Sequence, residues 1–247
     1  MSIALSLLFF AACHPLPSHA PTLSELASEP DEDRAGRWLM AAPPGLLRLD
    51  APAAPRSAAI VAVHGYKSEG SEWVGPLATM GTWGQELYFY RWNWNQCPTP
   101  AAHELDAALD ALVASEPSIT SLLVVSHSYG GLITAMMGQK EAMARPARLE
   151  LIAAPLAGHP SLTKLCPGDA LSDAGPGEGV TWHQWRTVHE ADGAFKDLET
   201  DPQVRELPGL KVTALPADWE GGRLGHNRSI QWVVGQLGVD GAQGEGG

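Results

Sequence analysis

From residue 57 onward, short apolar runs alternate with longer stretches in which apolar positions recur every three or four residues. Residues 58–63 (Ala-Ala-Ile-Val-Ala-Val) are apolar throughout and end at His64-Gly65. A strand apolar on both sides belongs in the middle of a parallel sheet. Residues 77–85 predict a helix, weakened by Gly81 and Gly84. Residues 87–92 are aromatic-rich and predict a second strand. Residues 100–116 then place Ala102, Leu105, Ala108, Leu109 and Leu112 at helical spacing, with acids on the other face. Further strands are predicted at 121–125, 148–153, 186–190 and 210–215, and further helices at 130–145 and 229–237. Such alternation predicts an α/β domain: a mostly parallel central sheet with helices on both faces and right-handed crossovers. Ligands of such folds sit beyond the carboxyl ends of the strands.

The ends of the chain follow other rules. Residues 2–12 are apolar and His14-Pro15 interrupts them, a length that suits a secretory signal and is too short for a membrane span. Ser18-His19-Ala20 offers a signal-peptidase site, and Phe10-Ala11-Ala12-Cys13 a lipoprotein-type site that would tether the chain through Cys13. No Lys or Arg precedes the run, so a packed N-terminal helix or a misplaced start stays open. Export, periplasmic or lipid-anchored, is the expectation, with a cytoplasmic location as the alternative. Residues 1–20 are thus read as signal-like. Residues 21–55, rich in Pro, Ala and acids, read as a tether ending in one edge strand at 46–49. The α/β domain spans 56–237, and 238–247 is a Gly-rich flexible tail.

Composition narrows the function. Of 247 residues 45% are hydrophobic, and 28 acids oppose 16 Lys and Arg, a formal charge of −12. Such a chain folds around a core and repels phosphate backbones, so no nucleic-acid partner is expected. With Cys13 set aside, Cys97 and Cys166 remain, each before a proline. They are either a disulfide or two separate thiols, since sequence does not give their separation.

The chemistry concentrates at 122–131, Leu-Leu-Val-Val-Ser-His-Ser-Tyr-Gly-Gly. An apolar strand runs into a small-residue turn and then a helix. That turn projects Ser128 from the sheet edge, and the helix N-terminus below favours developing negative charge. The alternative is a Ser/Gly turn in which Ser126 or Ser128 caps the helix. The stretch resembles the nucleophile elbow of the α/β-hydrolase superfamily, with Gly130 at the small position after the serine and Ser126 where glycine is usual. The resemblance extends from about residue 57 to 237.

It implies a fold, a mechanism and a site. The fold would be the α/β-hydrolase fold with a small lid insertion between Ala153 and Trp182 and no full cap domain. Ser128 would be the nucleophile. The oxyanion hole would use the backbone N–H groups of Tyr129 and of Tyr66 in His64-Gly65-Tyr66, with Gly65 allowing close approach and His64 supporting the turn. Of nine histidines, His226 in Gly225-His226-Asn227 follows the last strand, where the family keeps its base. The acid follows the preceding strand, and Asp192 of Asp192-Gly193 fits that place, with Glu190, Asp197 and Asp218 in reserve. His189 reads as a core or supporting group. Trp73, Trp83, Trp92, Trp94, Trp182 and Trp185 lie near strand ends; some belong to the core, and the rest, with Tyr66, would line an apolar cleft. No His-Glu-x-x-His or Cys-x-x-Cys spacing and no phosphate-binding glycine loop occurs, so neither metal nor cofactor is expected.

The expectation is therefore a serine esterase or lipase acting on a small-molecule or lipid ester without a protein partner. A thioesterase or acyltransferase with the same triad, and a non-catalytic ligand-binding protein on this scaffold, remain alternatives.

Overall fold

The computed structural model describes residues 20–50, 54 and 56–243, with side chains through residue 238. The signal-like segment up to residue 19, with Cys13, lies outside the described residues. No described helix is long and apolar enough to cross a membrane.

Among the described residues seven strands form one sheet: β1 (Gly45–Arg48), β2 (Ala58–Val63), β3 (Glu86–Arg91), β4 (Ser121–His127), β5 (Ala142–Ile152), β6 (Glu178–Arg186) and β7 (Leu210–Ala214). Their spatial order is β1-β3-β2-β4-β5-β6-β7. Only the edge strand β1 runs antiparallel, to β3; the other neighbours are parallel. The helices are α1 (Leu23–Ser28), α2 (Glu32–Ala41), α3 (Ser71–Gly81), α4 (Pro98–Ser115), α5 (Tyr129–Gly138), α6 (Pro160–Leu165) and α7 (Gly225–Gln243).

Alternate strand residues feed two cores. Val61, Val124 and Leu149 point toward α4 and α5, where Leu105, Leu109 and Ile133 cover them. Ile60, Val125 and Ile152 point to the opposite core with Trp73 and Leu77 of α3 and Val233 of α7. This two-sided burial explains why β2 and β4 carry apolar side chains at nearly every position.

Four expectations change. Residues 21–55 are not a bare tether before β1: α1 and α2 fold there. Thr22 and Glu25 cap α1 reciprocally, and Asp31 caps α2 through the Arg34 N–H. Leu26, Ala35 and Leu39 are buried in the core shared with α3, so tertiary packing overrides a weak local pattern. Gly36 permits the approach: a Cβ there would stand 2.2 Å from the Ser71 nitrogen.

The helix expected at 130–145 ends at Gly138, and β5 begins at Ala142. Pro146 disfavours helix in the residue before it, and the register between β5 and β6 shifts between Ala142 and Ala147. The strand expected at 186–190 lies earlier, at Glu178–Arg186, because Trp182 and Trp185 pair with Leu149 and Ile152; His189–Ala191 form a 3₁₀ turn. The insertion above the sheet is correspondingly shorter, 153–177, and contains α6. Smaller shifts affect the helix expected at 77–85, which starts at Ser71 and runs through Pro76, and the last helix, which continues past residue 238 to Gln243.

Cys97 and Cys166 are joined in a disulfide with Cα atoms 5.7 Å apart. It fastens the end of α6 to the start of α4, and Asp169 accepts the Thr99 N–H at 3.1 Å beside it. The insertion is therefore fastened within its length, at Cys166 and Asp169.

Candidate active site

The turn after β4 is built by backbone strain. Ser128 has φ 54° and ψ −123°, a conformation that costs a non-glycine residue on the order of 1–3 kcal/mol and persists only where surroundings enforce it. The enforcement is visible. The Ser128 N–H donates to the Ile152 carbonyl at 2.8 Å, and its own carbonyl accepts from Leu132 N–H at 3.2 Å. Gly130 lets α5 start directly against β2, since a Cβ would stand 2.4 Å from the His64 carbonyl oxygen. Ser126, in place of glycine, is fully buried and donates its hydroxyl to the Glu150 carbonyl at 3.1 Å. Neither serine caps the helix through its side chain: Ser128 makes no capping hydrogen bond, and Ser126 is committed to Glu150. The Ser128 hydroxyl is left half-buried at the sheet edge.

The turn after β2 lies against it. A Cβ on Gly65 would stand 3.0 Å from Ser128 Cβ, so only glycine fits without displacement. His64 is buried between the rings of Phe89 and Trp92. Its Nε2 accepts the Trp92 N–H at 3.3 Å, and its carbonyl accepts the Trp92 indole N–H at 2.9 Å. Nδ1 therefore carries the hydrogen and donates to the Gly65 carbonyl at 2.9 Å. Burial, with Arg91 adding to it, lowers the His64 pKa to about 4 against the partial compensation of these hydrogen bonds. A neutral, fully engaged imidazole is a prop for the loop. Tyr66, half exposed, sets its ring edge-on to Trp94 at 4.9 Å. Tyr129 opens α5, so its N–H has no intrahelical acceptor; its hydroxyl donates to the Gln96 carbonyl at 2.5 Å.

Asp192 and His226 come from two distant loops. His226 Nδ1 lies 2.9 Å from Asp192 Oδ2. Asp192 is fully buried yet well supplied with donors: the Thr187 hydroxyl at 2.5 Å and the Ala194 N–H at 2.8 Å besides His226. Burial raises its pKa, but the His226 contact and the other two hydrogen bonds outweigh it and hold the carboxyl below its ordinary value. Gln203, also fully buried, accepts the Thr187 N–H at 3.0 Å and so fixes the residue that fixes Asp192.

His226 keeps 14% of its side-chain surface exposed and packs edge-on against Phe195 at 4.9 Å. Its ring centroid is 4.5 Å from that of His127, whose Nε2 donates to the His226 carbonyl at 3.2 Å. The residue immediately before Ser128 thus anchors the His226 backbone. Burial, then the facing His226, pushes the His127 pKa well below the usual histidine value, so His127 stays neutral and can hold that bond.

Among the expected site residues, the structure brings Ser128, Gly65, His64 and Gly130 together in one pair of turns, and Asp192 and His226 together in another. The reserve acids Glu190, Asp197 and Asp218 do not bond His226. His189 sits in the 3₁₀ turn with Nε2 2.8 Å from the Phe195 carbonyl. Trp73, Trp92, Trp182 and Trp185 are buried, which leaves Trp94 at the site and Trp83 against Gly238. Sequence reasoning missed Thr187, Gln203 and the anchoring role of His127. Thr187, five residues before Asp192, carried a weak signal; Gln203 carried none. Among the described residues, Cys97, Cys166 and Asp169 are the His, Cys or acid side chains grouped closely enough for a metal, and both sulfurs are spent in the disulfide.

Strand order, crossovers and the strained serine turn define the α/β-hydrolase fold. Comparison with solved structures agrees. Esterase B from Lactobacillus rhamnosis superposes with a TM-score of 0.56 at 11% identity, covering 80% of this chain and 78% of that one. Est1E from Butyrivibrio proteoclasticus, in its complex with ferulic acid, gives 0.54 at 13%, covering 80% and 96%. An α/β serine hydrolase without lid from Xanthomonas campestris gives 0.51 at 16%, covering 80% and 86%. These likenesses are of fold. No protein-family model and no curated protein matches the sequence.

Proposed function

We propose that this protein is a serine hydrolase that cleaves carboxylic esters through an acyl-enzyme. The carrying observation is the 2.9 Å contact between buried Asp192 and His226, with the His226 backbone bonded to the residue next to the strained Ser128. His226 takes the Ser128 proton as Oγ attacks the ester carbonyl. Asp192 holds the imidazole with hydrogen on Nδ1 and stabilises its charged form. The Tyr66 and Tyr129 N–H groups receive the oxyanion, each worth about 10²–10³ in rate. The proton then passes from His226 to the leaving alcohol. Water, deprotonated by the same imidazole, attacks the acyl-enzyme and frees the acid and Ser128. The esterases among the solved structures of this fold agree with that reading.

Ser128→Ala removes fluorophosphonate labelling and turnover of a p-nitrophenyl ester series from acetate to palmitate, with an unchanged circular dichroism spectrum. Retention of either activity refutes the assignment. The proposal extends to place: the Cys97–Cys166 disulfide suits an oxidising compartment, and with the apolar run at 2–12 it supports export. Fractionation of cells carrying the wild type and Cys13→Ser tests the lipid tether.

A further inference from the structure

We propose that the cleft beside His226 binds an oxyanion, a carboxylate or phosphate, carried by the leaving alcohol of the ester. Two short strands, β8 (Asp218–Trp219) and β9 (Gly222–Arg223), form a hairpin apart from the main sheet. Its two turn residues, Glu220 and Gly221, both have positive φ, 50° and 73°, the conformation of the tightest hairpin turns. The hairpin ends at Arg223, and α7 starts two residues later. Between them and the turn after Asp192 lies a cleft of about 420 Å³, whose lining includes Gly193, Arg223, His226 and Arg228.

The hairpin positions the Arg228 guanidinium. Arg228 donates to the carbonyls of Arg223 at 2.9 Å and Trp219 at 3.0 Å, and lies over the Trp219 ring at 5.2 Å. Two of its five N–H donors are used there, and the rest stay available. Gly222 makes this possible, because a Cβ would stand 2.9 Å from Arg228 Nη1. Arg223 runs between two more glycines: its Nη2 is 4.0 Å from where a Gly193 Cβ would be, and its Nε 3.5 Å from that of Gly225. Among the described residues no carboxylate forms an ion pair with either arginine. Asp218, the cross-strand neighbour of Arg223, forms none, and Asp192 is enclosed by its own three donors.

A pair of exposed guanidiniums, one of them held by the hairpin, without a protein counter-charge among the described residues and in a chain of net charge −12, is a site for an external anion. Its place beside His226 decides which part of the substrate carries that anion. This step rests on the proposed hydrolase mechanism: His226 protonates the leaving oxygen, so atoms beyond that oxygen lie on the His226 side of the bond being cut. The acyl group lies on the other side. The hairpin is thus a specificity element for esters with an anionic leaving group.

The test compares three acetate esters with similar aryl leaving groups: 3-acetoxybenzoate, 3-acetoxyphenyl phosphate and the neutral 3-acetoxybenzamide. After correction for intrinsic reactivity, wild-type kcat/KM is expected to favour at least one anion by about tenfold or more, equivalent to about 1.4 kcal/mol. Which anion leads distinguishes carboxylate from phosphate recognition. In Arg223→Gln and in Arg223→Gln/Arg228→Gln the anion-to-neutral ratio falls toward one. Arg223 makes no side-chain hydrogen bond among the described residues, so its single variant tests the idea even if Arg228→Gln unfolds the hairpin. Equal turnover of charged and neutral esters by the wild type, or a preference that survives the Arg223 substitution, overturns the proposal. If no ester is turned over, the hydrolase reading fails separately. Calorimetric binding of 3-hydroxybenzoate and 3-hydroxyphenyl phosphate to Ser128→Ala then decides the site: binding weakened by Arg223→Gln upholds it, and absent or unweakened binding overturns it.

Discussion

The serine turn and the Asp192–His226 pair reach the same edge of the sheet by opposite means. Ser128 is placed by what lies directly around it: a strand before it, a helix after it, Gly130 where a single extra carbon would collide, and Gly65 where one would be tight. Asp192 and His226 are 34 residues apart, and nothing local prescribes their meeting. They are joined by a chain of side chains, Gln203 to Thr187 to Asp192 to His226, most of it buried. A site held by steric exclusion fails when something is added. A site held by a hydrogen-bond chain fails when something is removed.

That contrast can be broken most severely at Asp192. Asp192→Asn keeps the shape but favours the wrong imidazole tautomer, and kcat/KM on a p-nitrophenyl ester should drop on the order of 10³–10⁴-fold; steady-state kinetics on folded protein checks it. Next comes the insertion's disulfide. Replacing Cys97 and Cys166 by serine should cost about 2–5 kcal/mol in chemical denaturation, while Asp192→Asn leaves Cys97–Cys166 untouched.

Acid sharpens the comparison, because His64 supports the serine side. Its pKa in the fold, about 4, lies below the ~6.5 of an unfolded histidine. The unfolded chain therefore binds more protons between these values, so stability falls as pH drops from about 6.5 to 4. The loss for this one group approaches about 3 kcal/mol. His127 acts in the same direction. Asp192, with its pKa lowered, contributes stability that is lost only at more acidic pH, as its folded value is crossed. Denaturant midpoints measured from pH 7.5 to 4 should fall less steeply in His64→Gln than in the wild type.

Gly130→Ala adds one carbon against the His64 carbonyl and should cost about 1–3 kcal/mol, together with lower turnover as the serine turn shifts. Thr187→Val removes one of the three donors to Asp192. It should reduce stability by about 1–2 kcal/mol and move the acid loss of stability that Asp192 contributes to higher pH, since Asp192 loses a bond that favours its charged form. A Thr187→Ser variant should restore both. An unmoved acid transition in Thr187→Val would separate Thr187 from Asp192.

The serine side was legible because its constraints are contiguous: Val124-Val125-Ser126-His127-Ser128-Tyr129-Gly130 states a buried strand, a tight turn and a helix start in seven residues. His226 and Asp192 were legible only by resemblance, through their order after the last two strands. The strand before Asp192 was misplaced, since Glu178–Arg186 carries no regular alternation and joins the sheet by pairing Trp182 and Trp185 with β5. The segment 21–55 read as a tether because α1 and α2 are short and gain their stability by docking on α3. The capping pair Thr22 and Glu25 was the signal there. The β8–β9 hairpin was not read from the sequence, although Gly221 at its tight turn was a signal for it.

By itself the sequence determined the alternation of strands and helices, the two-sided core strands and the strained serine, because periodicity, side-chain volume and the need for glycine act over a few residues. Tertiary structure alone decided which acid meets His226, that Cys97 and Cys166 stand 5.7 Å apart at their Cα atoms, and that two arginines share a cleft with His226. Those facts depend on distances between segments remote along the chain, which are set only when the sheet has assembled and both of its faces are covered.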